Sequence, residues 1–123
     1  MSNRIRWIDY KGKKILVHDY SELKGFNRGG EQVLNEVSNF IDKLTENNIL
    51  ELIDVRNSYG DLDSIKKMKE MSKKMQPHVK KCAIIGVTGV KKVLLDTINV
   101  FSQRQIKPFA TEEEAKEWLV AED

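Results

Sequence analysis

The stretch Ile49-Leu50-Glu51-Leu52-Ile53-Asp54-Val55 is apolar throughout except for Glu51 and Asp54. A run of this kind suits a strand covered on both faces, the situation of a central strand in a parallel sheet. Cys82-Ala83-Ile84-Ile85-Gly86-Val87 is a second buried strand. Between the two, Asp61 or Asp63 is placed to cap a helix that runs to about Gln76, where Pro77 disfavours continuation. Strand, helix and strand in succession make a parallel unit with a right-handed crossover.

Outward from this unit the alternation continues. The spacing of Val33, Val37, Phe40, Ile41 and Leu44 predicts an amphipathic helix over 30–47, stopped by Asn47 and Asn48. A polar loop with three glycines, residues 21–30, precedes it. Residues 4–10 and 14–20 read as a hairpin turning at Lys11-Gly12-Lys13, with Ile5, Trp7 and Asp9 on one side of the first strand. Downstream, Gly89 opens a helix with Val90, Val93, Leu94, Ile98 and Phe101 on its inward face, which leaves Leu95 exposed. Residues 106–109 form a short last strand, placed at a sheet edge because Pro108 has no ladder donor. Thr111 and Glu114 make a capping box for a closing helix that faces inward through Ala115, Trp118 and Leu119. The fold class is therefore α/β, a single domain over 1–123. It is a mixed sheet of about five strands, led by an antiparallel hairpin, parallel in its centre and covered by four helices.

A hydrophobic content of 40% beside 33% charged residues excludes a disordered chain. Cys82 is the single cysteine, so no internal disulfide forms, and its apolar neighbours read as the setting of a small buried thiol. Residues 1–6 contain no apolar leader region, and nowhere do about eighteen apolar residues run together. A cytoplasmic protein without a transmembrane segment is expected. Charge is unevenly spread: residues 65–95 hold nine lysines against Glu70, a net of +8 in a chain of net +2, which leaves −6 for the remainder. Such a dipole attracts anionic partners or sets up head-to-tail contacts.

In open α/β sheets, sites gather beyond the carboxyl ends of the strands. Those ends carry His18-Asp19-Tyr20-Ser21, Asp54-Val55-Arg56-Asn57-Ser58 and Gly86-Val87-Thr88-Gly89. Neither His18 nor His78 has a serine or cysteine nucleophile in a recognisable elbow, so both read as structural or solvated and no catalytic residue is assigned. Two histidines and one cysteine, each far from the others, give no metal-ligand spacing. Neither metal nor cofactor is expected. The turn through Thr88, Gly89 and Lys91 follows a strand and opens a helix, where free amides can hold an anion, but it lacks the length and ending of a P-loop. Asp54, Thr88 and Lys107, with Asp19 behind His18, look like a degenerate version of the phosphoacceptor set of a receiver domain, in a chain with one βα unit fewer. Met68, Met71 and Met75 share one sector of their helix and the lysines, Lys66 and Lys67 among them, occupy the opposite arc. Methionines in such a stripe fill a core or form an adaptable binding surface. The basic arc has none of the interleaved aromatics of a stacking platform, so nucleic acid is not an expected partner.

The second half resembles the SpoIIAA-like branch of the STAS family of anti-sigma-factor antagonists. The likeness is carried by Cys82-Ala83-Ile84-Ile85-Gly86-Val87, the helix from Gly89, Ile106-Lys107-Pro108-Phe109, and Thr111-Glu112-Glu113-Glu114-Ala115-Lys116-Glu117-Trp118-Leu119. That family closes with a short strand ending in Phe and a helix ending in Ala-x-x-Trp-Leu. The resemblance spans residues 14–120. It implies non-enzymatic regulation through contacts with a protein partner or a second copy of the chain. Its comparison with SEC14-like domains implies an apolar or lipid-like ligand instead, in a pocket near Met68, Met71, Phe101 and Trp118. STAS antagonists are phosphorylated on a serine within an Asp-Ser-Ser-Gly run at a helix start. With Asp63 aligned, Ser64 matches the first serine, Ile65 replaces the usual acceptor and Lys66 the glycine, so Ser64 or Ser58 is left as the switch candidate.

Overall fold

At the first turn, Lys11 and Gly12 both adopt positive φ, 49° and 82°, the pairing that lets a two-residue turn follow the twist of its strands. The turn joins β1 (Ile5–Tyr10) to β2 (Lys13–Asp19) in antiparallel register, with Tyr10 opposite Lys13. The structure, a computed structural model, describes residues 4–25, 29–58 and 61–121, without the side chains of Val90 and Phe101. Helix α1 (Glu31–Asp42), β3 (Ile49–Asp54), α2 (Leu62–Met75), β4 (Val79–Ile85), α3 (Val90–Ser102), β5 (Lys107–Phe109) and α4 (Glu112–Val120) follow in the expected order. The strands lie in the order β1-β2-β3-β4-β5 and are parallel from β2 onward, so Pro108 does sit on an edge strand.

Alternation along the strands divides the core into two layers. Leu16, Ile53, Cys82 and Ile84 face α1, α2 and α3, where they meet Val33, Val37, Ile41, Met71, Met75, Leu95 and Ile98. Ile15, Val17, Leu50, Leu52, Ala83 and Ile85 face α4 and its Ala115 and Leu119. All six residues of β3 are buried, as expected for a strand covered on both faces. The caps also match: the Asp61 carboxylate accepts from the Ser64 amide, and Thr111 Oγ1 accepts from the Glu114 amide at 3.1 Å. Asp63 lies inside the first turn of α2 instead of capping it.

Several boundaries differ from expectation. Helix α1 ends at Asp42 because Lys43 and Leu44 bond back three residues, to Phe40 and Ile41, and Asn48 takes the left-handed conformation at φ 59°. Ile106 stays out of β5 because the Asn99 side chain takes both its N–H and its carbonyl, at 3.1 and 3.3 Å.

The rotation of α3 is a correction. Leu95 is buried and Val93 is 66% exposed, the reverse of the expected phase. Apolar residues surround this helix, so periodicity alone leaves its rotation open. Polar contacts set it: Ser72 Oγ donates to Ser102 Oγ at 3.0 Å, and Lys91 Nζ reaches back to Val55 O at 2.8 Å. Leu95→Ala should therefore cost about 2–5 kcal/mol and Val93→Ala less than about 0.5, measured by urea unfolding; equal losses would contradict this orientation.

Candidate functional site

At the carboxyl end of the sheet, on the three-helix side, lies a cavity of about 90 Å³. Its walls are mostly apolar: Leu23, Leu34, Val55, Ile65, Met68, Ile84, Val87, Leu94, Leu95 and Ile98. The polar lining consists of Tyr20, Ser58, Ser64 and Lys91. A concave, largely apolar site with few polar groups is the usual form of a small-molecule pocket.

Two backbone features position its rim. Gly86 leaves β4 at φ 90°, and a Cβ there would stand 2.6 Å from Arg56 N, so only glycine lets the loops after β3 and β4 approach so closely. Gly89 then starts α3 with φ 57°, and the Lys91 and Lys92 amides bond the carbonyls of Thr88 and Gly89, each at 3.1 Å. Two of the amides on which an anion-holding turn at Thr88, Gly89 and Lys91 would draw are therefore engaged. The Lys91 side chain folds instead over the pocket rim, donating to Val55 O at 2.8 Å and Gly86 O at 3.4 Å.

The switch candidates occupy the same neighbourhood. Ser64 is buried, with its hydroxyl bonded to Asp61 Oδ1 at 2.8 Å. Ser58 Oγ donates to Val55 O at 2.8 Å. Asp63 and Lys66 are exposed, and Lys67 is partly exposed. Met71 and Met75 are buried in the core and Met68 packs against it, so the methionine sector faces inward. Of the residues expected around an apolar pocket, Met68 lines it, whereas Trp118 packs with α4 across the sheet and the Phe101 side chain lies outside the described residues.

A second cavity of about 40 Å³ adjoins the first and shares Tyr20, Met68, Ile84, Leu95 and Ile98 with it. Its polar wall is an ionic cluster that local sequence patterns did not reveal. Glu51 receives an Arg104 guanidinium N–H on one carboxylate oxygen, and His18 Nε2 lies 2.9 Å from the other, close but out of line for a hydrogen bond. All three side chains are at most 4% exposed. Arg104 also donates to Ser72 Oγ at 3.2 Å, and Tyr20 Oη lies 3.5 Å from His18 Nδ1. Burial alone would raise the Glu51 pKa, but Arg104 and His18 outweigh it and hold the carboxyl well below the ordinary range. The same burial, reinforced by Glu51, pushes the Tyr20 hydroxyl and the Cys82 thiol upward, so both remain protonated near neutral pH. Cys82 is thus a buried thiol, as its sequence context suggested.

At the strand ends on the α4 side, the carboxylates are already paired. Asp54 accepts from Arg56 Nε at 3.1 Å and Nη2 at 2.8 Å. Burial acts to raise the Asp19 pKa, but the Ser21 hydroxyl and amide, together with Arg4 and Arg6, bring it below its ordinary value. Lys107 stands over the rings of Phe109 and Trp118, at 5.6 and 5.3 Å, and pairs along the strand with Ala83 while Asp54 is level with Ile85. The receiver-like set of Asp54, Thr88 and Lys107 is therefore not assembled. That reading is corrected: Arg56 occupies the acceptor carboxylate, and the sheet begins with an antiparallel hairpin.

A hairpin-led sheet with three helices and a cavity on one face and a single helix on the other defines a STAS-type α/β domain. The sequence profile of the SpoIIAA-like family matches residues 14–120, and the chain belongs to that family. A solved structure from Shewanella loihica PV-4, an uncharacterized protein of the DUF3478 family with a SpoIIAA-like fold, superposes with a TM-score of 0.68. It is 20% identical, and the match covers 94% of this chain and 91% of that one. No curated protein matches the chain. Among the described residues no helix is long and apolar enough to cross a membrane.

Proposed function

We propose that this protein is a non-catalytic cytoplasmic binder of a small apolar molecule, held between the sheet, α2 and α3. The cavity of about 90 Å³ supports this reading, because its walls are mostly Leu, Ile, Val and Met and its few polar groups lie at the edges. The carboxylates at the strand ends are paired with arginines or hydrogen-bonded, and the inner histidine is buried beside Glu51. Native mass spectrometry of protein purified from cells should show a co-purifying adduct. Leu94→Trp, which fills the cavity from a half-buried position, should remain folded and lose it. An empty wild-type protein that no apolar compound stabilises against heat would end the reading.

A second reading, regulation through a protein partner, is favoured by exposed apolar side chains on two neighbouring helices. Leu62 on α2 is 87% exposed, and Val93 and Val100 on α3 are 66% and 81% exposed. The net charge of +8 over residues 65–95 would select an acidic partner surface. The contact surface is then Leu62, Lys66 and Lys67 with α3, and not the buried methionines. Identical pull-down partners for wild type, Leu62→Glu and Lys67→Glu would count against this surface.

A further inference from the structure

We propose that the occupant of this cavity is an amphipathic carboxylate, its alkyl chain lying among the apolar walls and its head paired with the Lys91 ammonium at the rim. The inference rests on the cavity reading above and names the chemical class of its ligand.

The polarity of the lining carries the assignment. Among the described residues around the cavity, Lys91 is the sole ionised side chain and no carboxylate joins it. Its hydrogen-bond partners are the neutral carbonyls of Val55 and Gly86. An ammonium has three donors, so one remains for a ligand. Lys24 stands near enough to act on Lys91 by repulsion, and its own Nζ donates to another neutral carbonyl, Asn57 O, at 2.6 Å. Desolvation first, and then Lys24, lower the pKa of Lys91. Asp54 acts in the opposite sense, but Arg56 already holds that carboxylate in a two-bond pair. A cation beside an apolar cavity, without an acidic side chain of its own to bond, is matched by a negative charge on the ligand.

The inner end gives the orientation. Beyond Tyr20 and Met68 lies the smaller cavity, walled by Glu51. A second carboxylate there would face a buried negative charge that Arg104 already compensates. The head therefore stays outward at Lys91 and the chain points inward, stopping at Tyr20. Size narrows the class further. The volume of about 90 Å³ is smaller than the roughly 150 Å³ of an engineered cavity that accepts benzene, so it encloses only the last few carbons of a chain. A single unbranched chain that continues through the cavity mouth to Lys91 fits better than a ring system or a two-chain lipid.

Titration calorimetry on the full chain with octanoate, octan-1-ol, octyl phosphate and palmitate tests the proposal. Octanoate should bind about tenfold more tightly than octan-1-ol, and Lys91→Gln should remove that difference by weakening octanoate alone. Lys91→Arg, which keeps the charge, should retain most of the preference and shows whether loss of the rim contacts by itself disturbs the pocket. Palmitate should gain nothing over octanoate. Equal binding of acid and alcohol to wild type, or an equal loss of both in Lys91→Gln, would overturn the carboxylate assignment while leaving the cavity reading intact. Octyl phosphate binding more tightly than octanoate would reassign the head to phosphate. If none of the four binds, the cavity reading itself falls.

Discussion

Glu51→Gln should destabilise the protein by about 3–5 kcal/mol, and Arg104→Met by a similar amount. Each removes one partner of a pair whose side chains are 2% and 4% exposed, leaving the other charge buried and unmatched. Replacing both, as Glu51→Leu with Arg104→Met, should recover most of the loss, because the apolar surroundings of β3 accept an apolar pair without the desolvation cost. Urea unfolding of the two single variants and the double variant gives the coupling directly. If the double variant loses the sum of the single losses, the buried pair is not the source of the effect. Acid titration supplies an independent check. The folded Glu51 pKa lies below the unfolded value, so its contribution is complete above the unfolded carboxylate range, near pH ~4.3, and is lost as pH falls below it. The wild type should weaken more steeply below that pH than the double variant.

The second large effect is expected at Gly86. Gly86→Ala should cost about 2–4 kcal/mol, combining a side chain at φ 90° with a contact at 2.6 Å to the Arg56 backbone. Gly12→Ala is the matched control. Its φ of 82° is nearly the same, but nothing lies within 4 Å of a Cβ there, so its cost should be about 1 kcal/mol. Comparing thermal unfolding of the two variants separates steric conflict from backbone strain. Equal destabilisation would mean that the loops after β3 and β4 yield easily, and that the cavity rim is softer than its geometry suggests.

The elements were legible because each carries a local signal. The apolar run at Ile49 to Val55, Pro77 and Pro108, and the Thr111–Glu114 capping box all act within a few residues of where they appear. Ends and rotations were less legible, since Asn99 reaches seven residues along the chain to withhold Ile106 from β5, and Ser72 reaches across helices to orient α3. Glu51 did announce itself as a charge in the middle of an apolar strand, with Asp54 only at its end, and a partner could have been sought for it. Arg104 offered no such cue. It follows the left-handed Gln103 that ends α3, at φ 55°, and only that reversal turns it into the core. Lys91 was legible as a basic residue at a helix start, but its place over an apolar cavity depends on how closely two distant loops approach.

The lopsided covering of the sheet bears on biosynthesis. The inner faces of β2, β3 and β4 on one side, with Ile15, Leu52 and Ile85, are roofed, among the described residues, by α4 alone. This helix leaves the ribosome after every strand it covers, and it is moored to β1 through Tyr10 and Glu117 and to β4 through Lys81 and Trp118. Until translation passes residue 119, the nascent chain carries a bare greasy sheet face that neighbouring chains or chaperones can occupy. A premature stop upstream of α4 would leave that face open permanently.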